Sequence, residues 1–280
     1  MARGLPYLLN LPLFLIYTVI VVIPVGWAIY LSFNHVSLNL HATFAGFYNY
    51  IQLVRDPFFS NALRASAIFV GGSVAGQFLF GFLMALLLNE RIRGTEVFRT
   101  AFMFTMALSD AVVGYAWYII LNDRGILNDM IGAVNIPPVS WISSPSLAIA
   151  GMTVANIWFG GAFAMIILET GLKSISSDVY EAASVDGASR MQRFRSITLP
   201  ILKPFVATCL TTITILTFNY FGLILVMTRG GPLHSTEVVP LYMWNLAFEF
   251  GDFGYGSAVG VFAILVNITA ISLYRLLLRR

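Results

Sequence analysis

Six stretches of this 280-residue chain are each apolar over a length that lets a helix cross a membrane; about 20 residues cover the roughly 30 Å of hydrocarbon. They run approximately Leu8–Phe33, Ala65–Leu88, Thr100–Leu121, Leu147–Leu168, Phe205–Met227 and Gly256–Leu278, and each carries at most one formal charge ahead of its C-terminal edge. Only 10% of the residues are charged and 58% are hydrophobic, whereas soluble domains hold about 25% charge. Apolar surface on that scale needs lipid to cover it, which argues against a soluble enzyme or a compact nucleic-acid-binding module. The first run is too long for a signal-peptide core and no small-residue cleavage pattern follows it, so it reads as a retained helix. The expected fold is all-α: a polytopic integral membrane protein with six transmembrane helices, one membrane domain over 1–280.

Charge sets the orientation, because cytoplasmic flanks carry the Lys and Arg excess. One set of flanks holds twelve basic residues: Arg3, Arg91, Arg93, Arg99, Lys173, Arg190, Arg193, Arg195, Lys203, Arg275, Arg279 and Arg280. The other holds four: Arg55, Arg64, Arg124 and Arg229. Both termini are therefore expected in the cytoplasm, and the loops at about 34–64, 122–146 and 228–255 outside. The lone Cys209 closes no intramolecular disulfide, and His35, His41 and His234 show no metal-ligand spacing.

The longest cytoplasmic segment, about 169–203, carries the most local information. Asp178 followed three residues later by Glu181 fits a helix N-terminus, and Gly187 suits a left-handed helix ending. A second, basic helix is expected near Ser189, with Pro200 and Pro204 at the entry to the fifth run. A solvated loop of positive-inside charge is one reading of these residues. The other is a docking surface, since Ala182, Ala183 and Gly187 leave a helix face of low relief.

The order Glu181-Ala182-Ala183, Gly187, Ile197, Leu199-Pro200 resembles, at every fixed position, the EAA loop of membrane subunits of bacterial ABC importers. Gly171-Leu172-Lys173-Ser174-Ile175, Thr228-Arg229-Gly230-Gly231-Pro232 with Ser235-Thr236-Glu237, Phe47-Tyr48-Asn49-Tyr50, and Trp117 with Gly125-Ile126-Leu127-Asn128 are similar to the sugar-transport type, on the side of the pair held by the larger maltose permease. The resemblance implies a cytoplasmic coupling helix that docks on an ATPase, with Glu181 and Gly187 as docking and turn residues and Ala182 and Ala183 as the close-packed face. It further implies a bacterial or archaeal inner-membrane location and alternating access. The implied partners are a second homologous permease, two copies of a cytoplasmic ATPase, an extracytoplasmic solute-binding protein and membrane lipid, with no nucleic acid.

A phosphate-cradling loop needs G-x-x-x-x-G-K-[ST], and the two lysines, Lys173 and Lys203, each follow leucine. The chain therefore holds no nucleotide site of that kind and no cofactor is expected in it; ATP and Mg belong to the partner ATPase. No nucleophile–base pair or hydrolytic carboxylate pair stands out. Ionisable groups inside a span are costly and usually face a cavity or partner. Asp110, midway along the third run, is such a group, and it keeps an ion-coupled secondary carrier open as an alternative, with a membrane-embedded enzyme as a more remote one. Glu169 replaces the small residue expected at the inner end of the fourth run and is expected to reach the headgroups.

A neutral polyol is held by amides, hydroxyls and aromatic faces. Thr208, Thr211, Thr214, Thr217 and Tyr220 recur every three residues, an advance of about 300° each, so all five cannot face one pore. Thr214, Thr217 and Tyr220 span about 120° and can. Asn156, Trp158, Phe159 and Phe163 are the fourth-run candidates. The competing reading is that membrane threonines bond their own helix and aromatics fill helix gaps. Gly72-x-x-x-Gly76 and Gly256-x-x-x-Gly260 are assigned to close helix packing, and Pro12 and Pro24 to kinks or ends of the first run.

Overall fold

The computed structural model describes residues 5–38, 41–90 and 94–278. Arg3, Arg91, Arg93, Arg279 and Arg280, which weigh on the cytoplasmic side of the charge count, lie outside them. Helix α1 (Leu5–Tyr17) passes through a π-helical turn, Thr18–Val22, into α2 (Ile23–Ser32). Pro24 follows directly on the π turn, and that widened turn lets the chain pass the proline ring and its missing N–H without ending the helix. A short hairpin follows, β1 (Asn34–Val36) antiparallel to β2 (Ala42–Phe44), with His35 opposite Thr43. Next come α3 (Tyr48–Arg55), α4 (Pro57–Asn89), α5 (Thr95–Phe104) with a 3-10 turn to Ala107, α6 (Asp110–Leu121) and α7 (Ile126–Gly132). Helix α8 (Ala148–Lys173) leads through α9 (Ser177–Val185), α10 (Arg190–Arg193) and a π turn, Phe194–Thr198, into α11 (Leu199–Asn219). The chain closes with α12 (Gly222–Met227), α13 (Val239–Trp244), a π turn at Asn245–Glu249 and α14 (Phe253–Leu278).

Five helices are long and apolar enough to cross a membrane among the described residues, and a sixth crossing forms if the bent pair Thr95–Ala107 and Asp110–Gly132 is one span. Two expected spans are therefore not continuous. The third run breaks at Leu108-Ser109, and the pair meets at 106°. Ser109 is extended and its hydroxyl accepts from the Val112 N–H at 3.3 Å, while Asp110 Oδ1 accepts from the Ala111 N–H at 2.9 Å. These short side chains supply the bonds of a new N-terminus and so compete with helix continuation. Asp110 consequently sits in the first turn of α6, not mid-helix. The fifth run likewise ends at Asn219; Tyr220 is extended, and Gly222 starts a new short helix.

The chain forms two compact units. The first combines the described part of 1–60 with Tyr242–Leu265. In it Asn49, 1% exposed, donates to the carbonyls of Ser32 and Asn34 at 2.9 and 3.0 Å, tying α3 to the end of α2 and the hairpin. Asp56 accepts from the Phe58 N–H at 2.8 Å through Oδ1, and through Oδ2 from the hydroxyls of Tyr242 and, at 2.6 Å, Tyr255.

The second unit combines Asn61–Leu241 with the described part of 266–280. Its centre is α8 against α4 and α11. A Cβ placed on Gly76 would lie 2.2 Å from Ile157 Cδ1, one on Gly72 3.1 Å from Thr153 Cγ2, and one on Gly81 2.5 Å from the Ala164 Cβ. The Gly72–Gly76 pair thus makes a close seam, as expected, and Gly81 extends it. Lipid tails are as apolar as side chains, so contact at van der Waals distance, not escape from water, holds such helices. Met165, Leu168 and Leu172 of α8 form one buried cluster with Val74, Ala85 and Leu88 of α4 and Leu202, Cys209 and Ile213 of α11.

Candidate functional site

A half-open cavity of about 200 Å³ lies in the second unit. Helix α8 contributes Phe159, Gly160 and Phe163, and α11 contributes Ile213 and Leu216, with Tyr220 at its end. Gln77 of α4 and Met106, just before the break in the third span, complete the wall. Because Tyr220 has left the helix, its ring turns to Phe159, centroids 5.6 Å apart. Gln77, 1% exposed, donates through Nε2 to the Asn156 carbonyl at 3.1 Å and to Thr217 Oγ1 at 3.3 Å. One amide therefore joins α4, α8 and α11 at the cavity. Beside it the Asn156 side chain is fully buried, and neither its Oδ1 nor its Nδ2 has a protein partner, nor does the Ser73 hydroxyl. A buried polar group left unpaired costs about 1–3 kcal/mol; Asn156 and Ser73 stand behind the residues that line the cavity.

The expected solute residues separate into groups. Phe159, Phe163 and Tyr220 line the cavity, and Thr217 and Asn156 stand behind it on Gln77. Thr214 instead meets the Tyr274 hydroxyl at 3.0 Å and lines a second, almost wholly apolar groove between α4, α11 and α14. Trp158 is 38% exposed, edge-on to Trp117 at 6.2 Å. Thr208 and Thr211 donate to carbonyls one turn back, at 2.9 and 2.7 Å, as the self-bonding reading expects. Gln77 is absent from the sequence-derived set. Its signal is an amide inside an otherwise apolar run, one turn after Ser73, in a span read only for its glycines.

Asp110 is half-buried and packs on α12, where a Cβ on Gly222 would fall 2.4 Å from its Oδ2. Four residues on, Gly114 meets the Leu223 carbonyl, 2.7 Å from where a Cβ would stand. Two glycines thus allow α6 and α12 to pack backbone to backbone, with the carboxylate at the start of the seam.

The 169–203 segment forms two helices around a turn. Helix α9 is capped by Ser176, whose hydroxyl accepts from the Asp178 N–H at 3.3 Å. The expectation of an Asp178 cap is corrected: Ser176 already supplies an oxygen to the first free N–H groups, so the helix starts earlier. At the other end Gly187 has φ +79°, its N–H bonds the Ser184 carbonyl at 3.1 Å, and the Ala188 N–H bonds that of Ala183 at 2.9 Å. That pair of bonds around a left-handed glycine is a Schellman ending. Ser189 and Gln192 then form a reciprocal capping box that starts α10. The Tyr180 hydroxyl meets Thr198 Oγ1 at 2.8 Å, and Arg193 reaches Ser184 Oγ at 2.5 Å, closing the two arms on each other. Ala183, Gly187 and Ile197 line the groove between the arms. Glu181, Ala182, Leu199 and Pro200 are exposed.

Glu169 does not reach outward to headgroups. Its side chain is 6% exposed and receives the Arg99 guanidinium, Nε at 3.0 and 3.2 Å from its two oxygens and Nη2 at 2.5 Å, with Lys173 Nζ at 3.0 Å. Arg99 also pairs with Glu96. Removing one partner of a buried pair typically costs about 3–5 kcal/mol, which explains why the carboxylate stays inside.

A family model described as "Binding-protein-dependent transport system inner membrane component" matches residues 77–280. The trehalose/maltose transport system permease protein of Thermococcus litoralis is 33% identical over 275 residues, covering 96% of this chain and 92% of its own. The sulfoquinovosyl glycerol transport system permease protein of Agrobacterium fabrum is 34% identical over 277 residues, covering 97% and 90%. In fold, the chain is similar to a crystal structure of a bacterial ABC transporter involved in the import of the acidic polysaccharide alginate, with a TM-score of 0.84, 23% identity, and coverage of 99% and 95%. The chain belongs to the family of inner-membrane components of binding-protein-dependent transport systems.

Proposed function

We propose that this chain is one of two homologous membrane subunits of an ATP-binding-cassette importer for a sugar or sugar-like solute, and that the cavity at Gln77 and Tyr220 is on the solute's path. The observation that carries the solute class is the chemistry of that cavity. Its lining has an amide, a phenol and aromatic faces and no formal charge, with the unpaired Asn156 amide behind it. Aromatic faces and neutral hydrogen-bonding groups are what a sugar's C–H faces and hydroxyls require. Relatives named for trehalose/maltose and for sulfoquinovosyl glycerol transport support the same class.

In this reading both termini and α9 are cytoplasmic. The Gly187 turn presents α9, with Glu181, Ala182 and Ala183, to one of two ATPase copies that hold the ATP and Mg. A solute-binding protein docks outside, and closure of the ATPases switches the side to which the cavity opens. Membership in a binding-protein-dependent family displaces the ion-coupled carrier as a role for Asp110, whose place against Gly222 fits helix packing.

The test is uptake of labelled trehalose, maltose and the anionic sulfoquinovosyl glycerol by the assembled importer in vesicles. The expected result is ATP-dependent uptake of a neutral sugar, with the order of preference changed by Thr217→Ala combined with Tyr220→Ala. Failure to carry any sugar-like solute, or an unchanged order in the double variant, contradicts the assignment.

A further inference from the structure

Arg99 and Met106 stand two helical turns apart, about 10 Å, and each meets the same helix at a different level. Arg99 clamps Glu169 near the end of α8, while Met106 lines the cavity beside Phe159 and Phe163 of α8. Between them Phe102 packs on the buried cluster of α4, α8 and α11 and against the Phe80 ring, centroids 5.7 Å apart. α5 is thus laid antiparallel along α8 as a short rod. Beyond Met106 the rod is released, because the chain breaks at Leu108-Ser109 and turns by 106°. At the other end, α8 finishes at Lys173, itself paired with Glu169, and Ser176 caps α9 immediately after.

We propose that Arg99 and Glu169 are positioning residues of the transport cycle, whose ion pair makes α5 move as one body with the inner end of α8, so that displacement delivered at α9 reaches the cavity wall at Met106. The proposal rests on the reading of α9 as the ATPase-docking helix. A guanidinium fork on a carboxylate fixes orientation as well as distance, so two helices joined this way resist sliding or rolling past each other. A small side chain at 169 would let α5 lag behind α8. The free break after Met106 lets α5 swing without dragging α6 with it.

The experiment uses the complete importer in vesicles and reads solute imported per ATP hydrolysed. Arg99→Ala is expected to lower that ratio about tenfold, within the range for residues that carry coupling between sites, while ATP hydrolysis persists. Arg99→Lys, which keeps the charge but loses the fork, is expected to lower it about threefold, and it is decisive if Arg99→Ala does not assemble. Arg99→Ala combined with Glu169→Ala is expected to lose no more than either alone, as partners in one interaction do. A purely structural pair would reduce assembled complex, with uptake and hydrolysis falling together and the ratio unchanged. An unchanged ratio, or losses that multiply in the double variant, overturns the clamp. A wild-type complex whose uptake ignores ATP overturns both the clamp and the docking reading beneath it.

Discussion

Gln77 carries more of the cavity's architecture than any residue a hydropathy reading selects, because its one amide bonds both α8 and α11. Gln77→Leu is expected to destabilise the detergent-solubilised protein by about 1–2 kcal/mol, the cost of leaving buried acceptors unpaired, and to raise the solute concentration for half-maximal uptake. Thermal unfolding and uptake curves check the two effects separately. Asp56 gives a pH prediction. Burial pushes its carboxyl up, but the hydroxyls of Tyr242 and Tyr255 and the N–H groups of Phe58 and Phe59 outweigh that and hold it below the ordinary value of 3.8. A carboxyl depressed on folding contributes stability that is complete above its unfolded pKa and is lost as pH falls through the lower folded value. Thermal stability is therefore expected to be insensitive to this group above about pH 4 and to decline below it. Asp56→Asn, which keeps an acceptor for the tyrosines, should flatten that acid limb. The identity of Asp56 as an anchor is not legible from sequence, since its partners lie nearly two hundred positions away.

Among the elements, the seam of α4 on α8 has a sharp internal control. Gly76 would place a Cβ 2.2 Å from Ile157, whereas a Cβ on Gly71 meets nothing within 4 Å. Gly76→Leu is expected to cost about 1–3 kcal/mol through overpacking, while Gly71→Ala should be neutral or stabilising by a few tenths; folded yield and melting temperature distinguish them. In the 169–203 segment the space around Gly187 is open, so strain there comes from φ +79° alone. Gly187→Ala should weaken the turn by about 1–2 kcal/mol and lower uptake per ATP hydrolysed, with Gly187→Asn milder because Asn tolerates the left-handed region. The turn at Gly187 and the start at Ser189 are legible from sequence because caps are local chemistry. The breaks at Ser109 and Tyr220 are not, for apolar length is blind to a capping serine inside a long run, and the space that lets Gly222 begin a new helix is set by Asp110 from another span.

At the scale of the whole molecule, the membrane class and the run of spans follow from composition, because lipid rewards long apolar runs whatever they pack against. The distribution of polar groups does not follow so simply. Glu169 looks like a rim residue until Arg99, seventy positions earlier, is found against it. Tyr220 shares a stripe with Thr214 and Thr217 only on an unbroken helix; the end of α11 turns Tyr220 to Phe159, while Thr214, inside α11, meets Tyr274. In the proposed function these residues belong to a polypeptide that shapes a passage and takes its driving force from a partner ATPase. The most direct measurement is concentrative solute uptake into sealed vesicles, made with this chain and its homologous partner, with and without the ATPase and binding protein, under either ATP or an imposed ion gradient. Accumulation only with ATP and all components present is the result expected here. Accumulation by the membrane subunits alone under an ion gradient would contradict it.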